Sequence, residues 1–175
     1  MKVVVISGSP RKNGNTQLIM KYVVEYTKTK NVDVKFINIS EGQIECYKGP
    51  DERYNEATKT AANDLMEADV WLVGSPIYNS FFSSALKNLF EYLDYKKTQG
   101  KVAGITIMAA GNTGFIDVQT LITQLLSYFR VITNPQAVFI TTESISENEF
   151  SDDDAKNRLR IMVDRTLEIA SKLQN

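Results

Sequence analysis

The chain has 175 residues, of which 43% are hydrophobic and 23% charged, and its formal net charge is −1. This length suits one domain with a buried core, and the composition is typical of globular proteins rather than of disordered or fibrous ones. We therefore expect a single domain over residues 1–175. The basic residues are scattered and form no positive stripe, so nucleic acid is not expected as a partner.

Apolar runs of bilayer length and an apolar leader are both missing from the sequence, which predicts a cytoplasmic protein with no membrane span. Cys46 is the one cysteine, and there is no histidine. These counts exclude an internal disulfide, a Cys/His zinc site and a catalytic imidazole. No tight acidic cluster follows a predicted strand, so no metal site is expected.

Short β-branched runs alternate with longer segments of helical period, a pattern that predicts parallel strands with helices on both faces. The predicted strands are Lys2–Ser7, Val32–Ile39, Val70–Gly74, Val102–Met108 and Ala137–Thr141. The predicted helices are Asn15–Lys30, Asn55–Glu67, Ser83–Tyr95, Phe115–Phe129 and Asp152–Leu173, the last with Ser151 as its cap. A five-stranded sheet of this kind commonly has the order 2-1-3-4-5, with its ligand outside the carboxyl ends of the strands.

The loop after the first strand reads S-G-S-P-R-K-N-G-N-T and predicts a phosphate site. Gly14 lets a ligand approach the backbone where the free N–H groups of the next helix begin. The side chains of Ser9, Asn15 and Thr16 line the same concavity, and Arg11 adds a charged fork that can pair with two phosphate oxygens. The alternative is ordinary turn chemistry, with Asn15 or Thr16 capping the helix for its own sake.

Two common nucleotide motifs do not fit this loop. A nucleoside-triphosphate loop needs lysine where Asn15 stands, and its second glycine comes one residue too late here. A dinucleotide fold needs G-x-G-x-x-G and an acid at the end of the second strand, where the chain has Asn38. The phosphate is therefore assigned to a mononucleotide.

The loops after the third and fourth strands predict a site for a planar ring. The first of them concentrates apolar and aromatic residues, and the second, M-A-A-G-N-T-G-F, contains Gly111 and Gly114 and leaves backbone N–H groups accessible. A flat heterocycle fits between two such loops. For Phe81 and Phe82 the alternative of core or subunit-interface residues carries equal weight.

Three motifs together resemble the NAD(P)H-dependent FMN reductase family of flavodoxin-like proteins. They are S-G-S-P-R-x-x-G-N-T after the first strand, G-S-P-I-Y-N after the third, and A-L-K-N in the helix that follows. The resemblance covers nearly the whole chain. It implies a flavodoxin-like three-layer α/β/α sandwich around a five-stranded parallel sheet of order 2-1-3-4-5.

The resemblance also implies the cofactor-binding residues, for FMN, in three groups. The phosphate group is Ser9, Arg11, Asn15, Thr16 and Gln17. The flavin ring is expected against Pro76, Ile77, Tyr78 and Asn79 on one side and Ala110, Gly111, Asn112, Thr113 and Gly114 on the other. The family's usual acid before the tyrosine and glycine after the asparagine are replaced here by Ile77 and Ser80. A lone Cys46 also speaks against the iron–sulfur cluster of some relatives.

The activity implied by the resemblance is hydride transfer from NADH or NADPH to bound FMN and delivery to a second, small-molecule acceptor such as a quinone or free flavin. Since the flavin supplies the chemistry, no catalytic side chain is expected. The alternative is an electron-carrier flavodoxin, although such carriers tend to be strongly acidic and this chain is nearly neutral. Relatives often pair through the helices after strands three and four, which implies a homodimer or homotetramer.

Overall fold

The computed structural model describes residues 1–174. Its strands are β1 (Lys2–Ser7), β2 (Asp33–Asn38), β3 (Val70–Tyr78), β4 (Phe81–Phe82), β5 (Val102–Ala109), β6 (Ile132–Thr133), β7 (Val138–Thr141), β8 (Ile145–Ser146) and β9 (Glu149–Phe150). Its helices are α1 (Asn15–Lys28), α2 (Glu56–Glu67), α3 (Ser84–Phe90), α4 (Phe115–Tyr128) and α5 (Asp153–Gln174). No helix within residues 1–174 is long and apolar enough to cross a membrane.

The central sheet is parallel, in the order β2-β1-β3-β5, and β7 continues it beside the carboxyl half of β5. This confirms the predicted order 2-1-3-4-5, with β7 as the fifth predicted strand. The short strand β6 pairs with the amino end of β5, β4 pairs antiparallel with β3, and β8 and β9 form a separate two-stranded ribbon. The sheet thus brings the carboxyl ends of β1, β3 and β5 side by side.

Helices cover both faces of the sheet, as the continuous apolar runs in the strands predict. One hydrophobic cluster joins the sheet to α2, α3 and α4, and the other joins it to α1 and α5. Trp71 is fully buried in the first cluster, where its indole N–H donates to the Leu65 carbonyl at 2.9 Å and its ring meets Phe90 edge-on. The flavodoxin-like α/β/α architecture is therefore confirmed.

The prediction that the third strand ends at Gly74 is wrong. The strand continues through Pro76 to Tyr78, and its last residues pair with β4 in a hairpin. Proline normally argues against a strand because it lacks the N–H donor. Here Asn79 and Ser80 both have positive φ, 49° and 62°, which is the backbone of a two-residue hairpin turn. Pro76, Ile77 and Tyr78 are therefore strand residues rather than loop residues.

Several helix ends also differ from prediction: α1 ends at Lys28 rather than Lys30, and two other differences concern the end of α3 and the cap of α5. Helix α3 ends at Phe90 instead of Tyr95, and Asp94 then accepts the Lys96 N–H at 2.9 Å to start a separate 3-10 turn. At α5, Asp152 rather than Ser151 is the cap. Its carboxylate accepts the Ala155 N–H at 3.0 Å and the Ser144 hydroxyl at 2.7 Å, and these two bonds hold the pKa of Asp152 below its ordinary value.

The polar stretch from 40 to 54 is expected from the sequence to be an irregular surface loop. In the structure Ile39–Glu41 form a 3-10 turn, and the residues after it are irregular but held against α2 and α3. Asn88 accepts the Tyr47 N–H at 2.8 Å and donates to the Glu45 carbonyl at 2.7 Å. The Tyr92 hydroxyl donates to the same carbonyl at 2.6 Å, and desolvation raises the pKa of Tyr92 to about 12. Asn88 belongs to the A-L-K-N motif, so one role of that motif is to hold this segment in place.

Candidate functional site

The loop after β1 is joined directly to strand β3 at the carboxyl edge of the sheet. The Gly8 N–H donates to the Gly74 carbonyl oxygen at 2.8 Å, and a Cβ on Gly8 would lie 2.6 Å from that oxygen. The buried Ser83 hydroxyl donates to the Gly8 carbonyl and accepts the Leu86 N–H at 3.0 Å. Ser83 therefore fixes the first loop to the start of α3, and only glycine fits at position 8 without a backbone shift.

Helix α1 starts at the end of this first loop, and no side chain of residues 1–174 caps its N-terminal donors. Its cap residue is Gly14, which has no side chain to accept a bond. The first-turn N–H groups of Asn15, Thr16 and Gln17 have no acceptor within a helix. The Gln17 side chain accepts the Asn13 N–H at 3.1 Å instead of reaching back to the helix. An anion placed here meets free donors and the positive end of the helix dipole.

Of the other four helices in the described part of the chain, three do not share this feature. Side-chain oxygens of the residues before α2, α3 and α5 accept a first-turn N–H in each case, and these caps are Asn55, Ser83 and Asp152. The two helices without a side-chain cap, α1 and α4, follow glycines and two of the three loops that the sequence assigned to a ligand. The first-turn N–H groups of α1 and α4 are therefore available to donate to a bound ligand.

Ser9 and Tyr78, two of the predicted site residues, are in contact. The Ser9 hydroxyl lies 3.1 Å from the Tyr78 hydroxyl and accepts the Arg11 N–H at 3.2 Å. Ser9 is 2% exposed, whereas Tyr78 is 41% exposed. The Arg11 side chain is exposed and forms no ion pair within residues 1–174. Its guanidinium is free to bind an anion at the first loop.

The loop after β5 lies against the end of β3. Gly114 has a φ of +83°, and a Cβ there would lie 3.7 Å from the Cδ1 of Ile77. The residues from 110 to 113 are exposed, and the Ala110 carbonyl accepts the Thr142 hydroxyl at 3.1 Å. A side chain at Gly111 would meet no atom within 4 Å, so nothing in the structure demands glycine there. The structure thus places next to each other the two segments that the sequence predicts to border the ring.

Phe81 and Phe82, whose role the sequence left open, differ in burial. Phe82 is 6% exposed and joins the core, whereas Phe81 is 47% exposed. Both line a cleft of about 870 Å³ between the β3–β4 hairpin and α3, called the hairpin cleft below. Its other lining residues are Ile77, Tyr78, Asn79, Ser84 and Lys87.

Sequence reasoning missed two features of the site. The hydrogen bond from Ser83 to the first loop had no signal beyond a serine that precedes an apolar helix. A second cleft, of about 400 Å³, lies beside the first turns of α1 and includes Lys21 and, from the turn between β8 and β9, Asn148. Nothing in the sequence connects Asn148 with α1.

The residues at this edge fit a phosphate joined to a flat ring. The first loop and the start of α1 supply free N–H groups, the buried Ser9 hydroxyl and an arginine with no ion pair among the described residues. Beside them, the apolar side chain of Ile77 in the hairpin lies next to the glycine-flanked loop. No histidine is available in the chain, so acid–base chemistry by an imidazole is excluded. The arrangement suits the binding and orientation of a cofactor that supplies the reactive group itself.

The chain is similar over most of its length to known reductases. An NAD(P)H-dependent FAD/FMN reductase of Geobacillus thermodenitrificans is 26% identical over 162 residues, which span 91% of this chain and 88% of that protein. An NADPH azoreductase of a Bacillus species is 27% identical over 154 residues, 87% of this chain and 84% of that protein. Both alignments run over almost the full length of each partner.

A similar fold occurs in solved structures. A flavoenzyme NAD(P)H:(acceptor) oxidoreductase from Paracoccus denitrificans superposes with a TM-score of 0.78 over 98% of this chain and 97% of that chain, at 20% identity. The model of the family described as NADPH-dependent FMN reductase matches residues 1–144. On this match the chain belongs to the NADPH-dependent FMN reductase family.

Proposed function

We propose that this protein is an FMN-dependent oxidoreductase that takes hydride from NADH or NADPH and passes the electrons to a small-molecule acceptor such as a quinone, a free flavin or an azo compound. The family match supports this function, and so do the names of the reductases and azoreductases to which the chain is similar. The observation that carries it is the open N-terminus of α1 beside Ser9 and Arg11, which suits the dianionic phosphate of FMN.

The proposed cofactor contacts follow the three loops. The N–H groups of Asn15, Thr16 and Gln17, with the side chains of Ser9, Arg11 and Thr16, hold the phosphate. Pro76, Ile77, Tyr78 and Asn79 border one side of the flavin ring, and residues 110–114 border the other with main-chain donors for its polar edge. When bound, FMN accepts hydride and returns two electrons, so the protein needs no catalytic side chain of its own.

The proposed assembly is a homodimer or homotetramer of single FMN-binding domains, residues 1–175. Its support is apolar exposure on α4, where Ile116 is 65% and Tyr128 66% exposed. Sedimentation velocity should give a mass of two or four chains. A monomer at micromolar concentration would contradict the assembly without affecting the proposed activity.

Steady-state oxidation of NADPH and NADH tests the activity. The protein loaded with FMN should oxidise at least one of them with saturation kinetics when menadione is supplied, and protein stripped of FMN should not. A protein that binds FMN, is reduced by dithionite, and oxidises neither nicotinamide would instead be an electron carrier of the flavodoxin type.

A further inference from the structure

We propose that the hairpin cleft is the subsite for the electron acceptor, and that Lys87 makes it select aromatic acceptors that carry an anionic substituent. This inference rests on the proposed function, since it concerns the second substrate of the same reaction. It comes from the position of the cleft, the aromatic surface within it and the sign of its charge.

The hairpin cleft lies beside the proposed flavin site. Ile77, Tyr78 and Asn79 belong to both. Ile77 faces Gly114 of the loop after β5, and the Tyr78 hydroxyl meets Ser9 of the first loop. A molecule in the cleft therefore touches the same hairpin that borders the ring. The volume of about 870 Å³ is within the usual range for small-molecule pockets.

The walls of the cleft suit a flat ring with polar groups at its edge. Phe81 and Tyr78 are 47% and 41% exposed and offer aromatic faces for stacking. Asn79 and Ser84 add polar side chains within the same cleft.

Charge in the cleft has one sign. Among the described residues that line it, Lys87 is the one charged side chain, and no carboxylate accompanies it. An anionic group entering the cleft is attracted, and a cationic group is repelled.

The present partner of Lys87 does not block this role. Its ammonium pairs with Glu91, one helical turn further along, and the two side chains are 45% and 42% exposed. An ion pair this exposed is held only weakly, so an anion in the cleft can replace it. Glu91 itself lines a different groove, between α2 and α3. The Lys87 ammonium can therefore leave the Glu91 carboxylate outside the cleft and pair with an anion inside it.

The test compares two quinones that differ in charge, a naphthoquinone sulfonate and uncharged menadione. Each is reduced to its hydroquinone at the expense of one NAD(P)H and one proton, so both report the same electron path. The quantity measured is kcat/KM for the sulfonate divided by kcat/KM for menadione. Differences in reactivity between the quinones cancel when a variant is compared with the wild type.

In Lys87→Gln this ratio should fall about three- to tenfold, and the difference from the wild type should shrink at high salt. In Glu91→Gln, which removes the ionic partner of the Lys87 ammonium, the ratio should rise. Lys59→Gln is the matched control, because Lys59 is an exposed lysine paired with Glu56 outside the hairpin cleft, and its ratio should equal that of the wild type.

A ratio that is unchanged in Lys87→Gln overturns the proposal. So does a loss confined to kcat/KM for NADPH, which would assign Lys87 to the dinucleotide instead. Failure of the wild type to reduce either quinone would refute the proposed function as a whole, and is thereby distinct from failure of the subsite.

Discussion

Replacement of Arg11 by alanine gives a quantitative test of the phosphate site. The guanidinium is exposed and has no ionic partner within the described residues, so its removal should leave the fold intact. A hydrogen bond to a charged group contributes about 1.5–3 kcal/mol. Because the side chain is open to solvent, we take the lower value, about 1.5 kcal/mol, which corresponds to roughly a tenfold rise in the FMN dissociation constant.

The assay is a titration of the apoprotein with FMN and, separately, with riboflavin, followed by quenching of flavin fluorescence. Arg11→Ala should weaken FMN binding about tenfold and leave riboflavin, which has no phosphate, nearly unaffected. Lys12→Ala is the matched control, because Lys12 is the neighbouring exposed cation and should change neither constant. An unchanged FMN constant in Arg11→Ala, or an equal loss for riboflavin, would refute the assignment.

Three further substitutions test other parts of the account. Tyr78→Phe removes the hydroxyl that meets Ser9, so FMN binding should weaken by about two- to tenfold in the same titration while riboflavin binding is retained; equal losses would place the hydroxyl away from the phosphate. Gly74→Ala puts a Cβ 2.4 Å from buried Met20 atoms and should lower the free energy of unfolding by about 1–3 kcal/mol in urea; wild-type stability would mean that Met20 moves freely. The pKa of Asp152 is lowered in the folded state, so its stabilisation is present above the unfolded value near 3.8 and is lost as the pH falls through the lower folded value; Asp152→Asn should flatten the acid-side decline of unfolding free energy, and an unchanged decline would contradict this.

The local sequence is sufficient to predict the strands that position the site and their order in the sheet. The apolar run from Val3 to Ile6 predicts a strand buried on both faces, and all four residues are at most 1% exposed. Alternation of such runs with helical segments predicted the sheet order, because crossover handedness leaves few topologies. The open start of α1 could also be anticipated, since Gly14 offers no cap.

The remaining features depend on contacts between residues far apart in the sequence. Ser9 meets Tyr78 across 69 positions, and Ser83 reaches Gly8 across 75. Neither bond has a local signature. The continuation of β3 through Pro76 has no local signature either, because it depends on pairing with distant residues. Pro76 pairs with Met108 of β5, and Ile77 and Tyr78 pair with β4, and this pairing outweighs the local preference against proline in strands.

The most direct measurement of the central claim is a crystal structure of the protein with FMN. The phosphate should lie at the start of α1, within hydrogen-bond distance of the N–H groups of Asn15, Thr16 and Gln17, with the flavin ring between the β3–β4 hairpin and residues 110–114. A phosphate bound anywhere else, or an α1 terminus closed by the protein's own side chains in the presence of saturating FMN, would contradict it.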